Sequence, residues 1–143
     1  FKRIIHARRQ WNLVDNKELC YHYLGDFDKA MLKTITSEKN FNKTPVVEIW
    51  HNDGDQVLAY MRGDLLFVFN FSPTRSFTDY GFLVPTGAYS VVLDTDNKAF
   101  GGNGLNDDEL THLTTYDPLY VNDRKEWLKL YLPARTALVL KKN

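Results

Sequence analysis

The chain has 143 residues, with 18 lysines and arginines balancing 18 aspartates and glutamates, 43% hydrophobic residues and 14% aromatics. That length fits one domain with a real core, and the zero net charge argues against a dedicated binder of nucleic acid or of a membrane surface. No run reaches the ~18 consecutive apolar residues of a membrane-spanning helix, no signal-peptide pattern is visible, and Cys20, the one cysteine, rules out an internal disulfide and fits a reducing, cytoplasmic setting.

The chain opens on Phe1 rather than Met, which suggests that a preceding segment has been removed. Lys2, Arg3, Arg8 and Arg9 make the start basic, whereas Asp94, Asp96, Asp107, Asp108, Glu109, Asp117 and Asp123 make a later stretch acidic. Each half reads as a solvated face. Ile4, Ala7, Arg8 and Trp11 recur at helical spacing, so residues 2–11 are expected to form a helix. A second short helix is expected over residues 26–33, with Asp26 as N-cap and Phe27, Ala30 and Met31 as its apolar face. Residues 34–45 are polar, lead to Pro45 and read as a connection.

From Val46 the hydrophobic period changes to about two. Residues 46–51, 56–62 and 65–71 are rich in β-branched and aromatic side chains and read as strands. Asn52-Asp53-Gly54-Asp55 and Gly63-Asp64 are hairpin turns between them. The run LLFVFNF, apolar at nearly every position, is expected to be buried on both faces. Residues 77–84, 88–93, 127–132 and 135–140 follow as strands, punctuated by Pro85-Thr86-Gly87 and Pro133-Ala134. Seven short strands with regular turns predict a small antiparallel β-sandwich. Residues 94–126 are polar and read as a long loop. Its Gly101-Gly102-Asn103-Gly104 run is either simply flexible or needed where the backbone approaches another surface closely.

Residue chemistry alone gives no catalytic set. His51, Asn52, Asp53 and Asp55 fit a turn better than an acid–base or metal cluster. The histidines at 6, 22, 51 and 112 lack zinc spacing. No G-x-S-x-G surrounds Ser72 or Ser76, and the glycine run lacks the spacing of a phosphate loop. Cys20 reads as an incidental thiol, and Arg8-Arg9 as a helix face or an ion pair. No metal and no cofactor are expected. Most of the aromatics must be core or sheet pairs, but flat exposed rings also suit pyranose stacking, which leaves Trp50, Tyr60 and Tyr80 as candidate sugar contacts.

Two N-terminal runs are more specific: Ala7 to Asp15 (ARRQWNLVD) and Tyr23 to Met31 (YLGDFDKAM). They resemble the end of the catalytic barrel of 1,4-α-glucan (glycogen or starch) branching enzymes. Leu66 to Pro73 (LFVFNFSP), Ser76 to Tyr80 (SFTDY), Val92 to Asp96 (VLDTD), Phe100 to Gly102 (FGG) and Leu132 to Leu140 (LPARTALVL) are similar to that family's C-terminal domain. They occur in family order, and the long insertion before Trp127 resembles the eukaryotic type.

The resemblance implies a member of the α-amylase superfamily (glycoside hydrolase family 13). It implies a mainly β chain: an antiparallel β-sandwich of the α-amylase C-terminal all-β type, preceded by one or two helices left over from a (β/α)8 barrel. Residues 1–45 are then barrel helices and connection, and residues 46–143 the β domain. The parent reaction would transfer an α-1,4-glucan segment to form an α-1,6 branch, with retention through two carboxylates. The family's catalytic motifs are not found in this sequence, so no catalytic residue carries over and the chain alone is expected to be inactive.

The expected partners are the catalytic barrel of the same polypeptide, through Arg8, Arg9, Gln10 and Trp11, and α-glucan; neither nucleic acid nor a membrane is expected. Two other readings are an autonomous carbohydrate-binding β-sandwich module and a β-sandwich interaction domain with no carbohydrate link. Residues 1–33 are expected to be the less stable part, because their apolar face lacks its natural partners or packs on the sandwich.

Overall fold

The computed structural model describes residues 10–117 and 125–143. A four-residue helix α1 (Asn12–Asp15) and a 17-residue helix α2 (Tyr21–Ser37) precede a 3-10 turn at Phe41–Lys43. The strands that follow are β1 (Val46–Asn52), β2 (Val57–Arg62), β3 (Leu65–Asn70), β4 (Phe77–Leu83), β5 (Ala88–Asp94), β6 (Thr111–Leu113), β7 (Thr115–Tyr116), β8 (Glu126–Leu132) and β9 (Thr136–Lys142). The helix expected over residues 2–11 lies outside the described residues except for Gln10 and Trp11.

Helix α2 is longer than expected, and Asp26 is interior to it; Cys20 is the N-cap and makes no side-chain cap bond. Two local features explain the difference. The hydroxyls of Thr34, Thr36 and Ser37 bond back to carbonyls one turn earlier, so these polar side chains are satisfied within the helix, at a small cost to it, rather than drawing the chain into a loop. At Gly25 a Cβ would stand 3.3 Å from the Val14 side chain, so the missing side chain lets α1 lie close against α2 and offsets glycine's cost in a helix.

The strands form a six-stranded sheet in the order β1-β2-β3-β9-β5-β6 and a three-stranded sheet in the order β4-β8-β7. All the pairings are antiparallel. The alternation of β2 and β3 sorts their residues into two cores. Val57, Ala59, Met61, Leu66 and Val68 face the smaller sheet and pack with Phe82, Tyr89, Leu128, Leu130 and Leu140. Leu65, Phe67, Leu93 and Val139 face the other way, onto Phe27, Ala30 and Met31 of α2 and Phe100. The result has three layers: helix, large sheet, small sheet. The double-sided burial expected of LLFVFNF is realised, with Leu65 to Val68 all buried. Each fully buried leucine in these cores contributes roughly 2 kcal/mol of apolar burial.

The stretch between β5 and β8 is more structured than a loop. It holds a 3-10 turn at Lys98–Phe100 as well as β6 and β7. The sequence hides these because their partners are distant: β6 pairs with β5, and β7 with β8. The organiser is Asp96, which is 6% exposed. Its carboxylate accepts the N–H groups of Asn103 and Leu105, both at 2.9 Å, and its carbonyl accepts that of Gly104 at 2.7 Å. The glycine run therefore serves a close backbone approach, the second of the two sequence readings.

Candidate functional site

The two sheets meet along a seam where edge strands β1 and β4 approach. Both strands carry an irregularity there. The register of β1 shifts between Glu48 and Trp50, and that of β4 between Phe77 and Tyr80. Asp79, inside the second shift, adopts a left-handed φ of 51°. Such bulges re-aim side chains, and here they bring Trp50 and Tyr80 together.

The Trp50 indole Nε1–H donates to the Tyr80 hydroxyl at 3.1 Å, and that hydroxyl donates to Asp55 Oδ2 at 3.0 Å. Asp55 Oδ1 accepts from Arg75 Nη2 at 3.0 Å, while Arg75 Nη1 donates to the Gly54 carbonyl. The Arg75 guanidinium lies over the Phe77 ring, 4.9 Å from its centroid, and Phe77 meets Tyr80 edge-on at 5.2 Å. Burial, helped by the Asp55 carboxylate, pushes the Tyr80 phenol above its ordinary pKa, against the lowering by the Trp50 hydrogen bond, second only to burial, and by the Arg75 charge. It therefore stays a neutral donor at physiological pH.

Trp50, Asp55, Phe77 and Tyr80 line a groove of about 380 Å³, with Asn52 on the turn side and Trp127 on β8 at the far wall. Gly81 leaves that wall open: a Cβ there would sit 3.5 Å from the Trp127 ring. Trp50 is 46% exposed. An exposed indole can stack on the C–H face of a pyranose ring, while carboxylate and amide oxygens beside it accept the sugar hydroxyls. Both Asp55 oxygens are already engaged, so it acts as an acceptor and anchor, not as a free base.

Tyr60 lies on the other side of the large sheet. Its ring stacks on Phe67 at 4.9 Å and Phe69 at 5.9 Å, in the layer that faces α2. Gln10 and Trp11 lie immediately before α1, and Trp11 is 66% exposed; Arg8 and Arg9 fall outside the described residues. Sequence reasoning missed Asp55 and Arg75. It treated residues 51–55 wholly as a turn, and Asn52 does accept the Asp55 N–H at 2.9 Å. The Asp55 side chain, however, reaches out of the turn to residues 20 and 25 positions away. Among the described residues, no group of three or more His, Cys, Asp or Glu side chains could hold a metal ion, and no helix is long and apolar enough to cross a membrane.

The model of the alpha amylase C-terminal all-beta domain family matches residues 49–143. The chain belongs to that family. It is similar to a 1,4-alpha-glucan-branching enzyme of Emericella nidulans, with 45% identity over 94% of the chain and 20% of the relative. Proteins of the same name from Aspergillus oryzae and Dictyostelium discoideum are 46% and 42% identical, over 94% and 96% of the chain and 19% and 20% of their own length. The chain thus spans about one-fifth of the length of these curated relatives and is homologous to the C-terminal domain of glucan-branching enzymes. The family resemblance seen in the sequence motifs, and the all-β fold it implied, are both borne out.

Proposed function

We propose that this chain is the non-catalytic C-terminal region of an enzyme that transfers an α-1,4-glucan segment to form an α-1,6 branch. In this reading residues 46–143 are a β domain that supports a catalytic barrel, and residues 1–45 carry the last barrel helices into it. The observation that carries it is an uncovered apolar face on the helical layer. Tyr21, Leu24 and Leu32 share the outer side of α2 and are 54%, 64% and 58% exposed; Val14 of α1, at 42%, extends the patch. Clustered large apolar residues on a helix surface mark a contact with another body. The similar branching enzymes are about five times as long as this chain, which supplies such a body in the same polypeptide.

The test uses Leu24→Asp and Leu32→Asp, made both in this 143-residue chain and in a full-length branching enzyme carrying it. The expected result is a stability loss of about 2 kcal/mol per site in the full-length protein, from the apolar burial forfeited, and a change within about 0.5 kcal/mol in the short chain. Equal small changes in both would overturn the docking reading.

The groove at the sheet seam favours a second role, contact with α-glucan through Trp50 and Tyr80. Tyr60, on the opposite face, is assigned to packing. Titration of the chain with maltoheptaose is expected to give a saturable change in tryptophan fluorescence. Trp50→Ala should weaken it about tenfold, the loss of roughly 1.4 kcal/mol from one stacking contact. An unsaturable response would remove the groove from the glucan path and with it the carbohydrate-binding-module alternative; a saturable response unchanged in the variant would remove the groove alone.

A further inference from the structure

The connection that follows β5 is tied down by carboxylates, and two of their oxygens have no partner. Asp94, at the end of β5, is 2% exposed. Its Oδ1 accepts the Asp96 N–H at 2.7 Å, but its Oδ2 is buried without a hydrogen bond. Asp108 has the same arrangement: Oδ2 accepts from Asn97 Nδ2 at 2.6 Å, while Oδ1 is buried and unbonded. The two side chains stand together in the wall of one small cavity, bounded by Ala30 of α2 and by Leu93 and Phe100.

Both orphaned oxygens are almost wholly buried, and a proton on either carboxyl would meet their need for a donor from within the pair. Two carboxylates side by side, Asp94 buried and Asp108 half-buried, cannot both stay ionised without a cost. One proton converts one of them into a donor and satisfies both oxygens at once. We propose that Asp94 and Asp108 share a single proton, and that this bond latches residues 97–110 to the end of β5 in a pH-dependent way. The latch reaches the helical layer, because Phe100 in the same segment packs edge-on against Phe27 of α2 at 5.3 Å.

The charged groups acting on the pair share its sign. Burial first, then the neighbouring Asp108 and Asp96 carboxylates, raise the Asp94 pKa to about 6 against the lowering by the Asp96 N–H, which is second only to burial. Helix α2 presents Ala30 and Phe27, β9 pairs Leu138 with Asp94, and the 3-10 turn presents Asn97 and Phe100. Lys98 of that turn is exposed and lies along Gly104. A carboxyl raised in the folded state adds stability that is fully present below its ordinary value of 3.8 and is lost as pH rises through about 6. His112 on β6 titrates in an overlapping range with the opposite sign. Burial lowers its pKa, so charging it destabilises the fold as pH falls.

The test compares the wild-type chain with Asp108→Asn, which places an amide donor where the orphaned Asp108 oxygen stands and needs no proton. Asp94→Asn serves as a second variant with the donor on the other side. Unfolding equilibria are measured by urea denaturation from pH 4.5 to 8, and amide exchange at Gly104 and Leu105 is followed over the same range. Relative to either variant, the wild-type unfolding constant should rise by up to about 30-fold between pH 4.5 and 8, the part of a shift from 3.8 to about 6 that falls inside the window at a factor of ten per pKa unit. The difference cancels the His112 contribution. Excess exchange at the two amides should rise with pH in the wild type alone. Parallel pH profiles for wild type and both variants would overturn the shared proton, whereas a failed maltoheptaose titration would leave it untouched.

Discussion

Asn70→Leu is expected to destabilise the domain by about 3–5 kcal/mol, although leucine matches asparagine closely in size. Asn70 is 2% exposed and ends β3 at the point where the first hairpins meet the β8–β9 turn. Its Nδ2 faces the carbonyls of Arg75, Leu132 and Pro133 at 2.8, 3.2 and 3.0 Å, and its Oδ1 accepts the Ser72 N–H at 3.0 Å. Leucine would strand the buried Ser72 N–H and remove the donor from all three carbonyls. Pro133 keeps a second donor in Thr136 Oγ1 at 2.7 Å, which holds the loss below the sum of all four bonds. Asn70→Asp retains the acceptor for Ser72 but turns a carboxylate oxygen toward three carbonyl oxygens, so its loss should be at least as large at pH 7 and smaller in acid. Urea unfolding measures both variants. A loss under 1 kcal/mol for leucine would mean that water or backbone relaxation replaces the amide.

Asn70 also shows what the sequence could and could not convey. Two of the motifs that carry the family resemblance, LFVFNFSP and LPARTALVL, are joined in space by this one side chain across about 60 positions. Their strands were readable because alternation and turn residues are local signals, and β2 and β3 follow them closely. The polar bridge was not, because an asparagine at the end of an apolar strand looks the same whether it caps a turn or holds two sheets together. The same limit explains the groove. Trp50 and Tyr80 were legible as exposed aromatics, but their meeting depends on two register shifts, and Asp55 looked like turn chemistry. Tyr60 could not be separated from them, since which face it takes is fixed by the pairing of β2 with β3. Helix α2 runs on to Ser37 through a polar last turn, which leaves no hydrophobic period to mark it as helix.

Gly102→Ala is expected to cost about 4 kcal/mol and to release the segment around residues 101–105. A Cβ at Gly102 would stand 2.1 Å from the Asp96 carbonyl oxygen and 2.3 Å from its carbon. Both are backbone atoms, so no rotamer change relieves the clash. Something in the chain must shift, and the Asp96 carbonyl already holds the Gly104 N–H while its carboxylate holds those of Asn103 and Leu105. Losing two charge-assisted bonds at roughly 1.5–3 kcal/mol each accounts for the magnitude. Gly54→Ala is the control. Gly54 is a turn glycine that the sequence does not distinguish from Gly102, but its Cβ would meet nothing nearer than the Asn52 Oδ1 at 3.3 Å, the movable end of a side chain. Its expected cost is under about 1 kcal/mol. Amide exchange at Asn103, Gly104 and Leu105 should become fast in Gly102→Ala and remain slow in Gly54→Ala. The effect should also reach α2, because the 3-10 turn that Asp96 helps to fix presents Phe100 to Phe27. Equal, small losses in the two variants would show that the Asp96 backbone yields without breaking its bonds, and the coupling from the acidic connection to the helical docking face would fail with it.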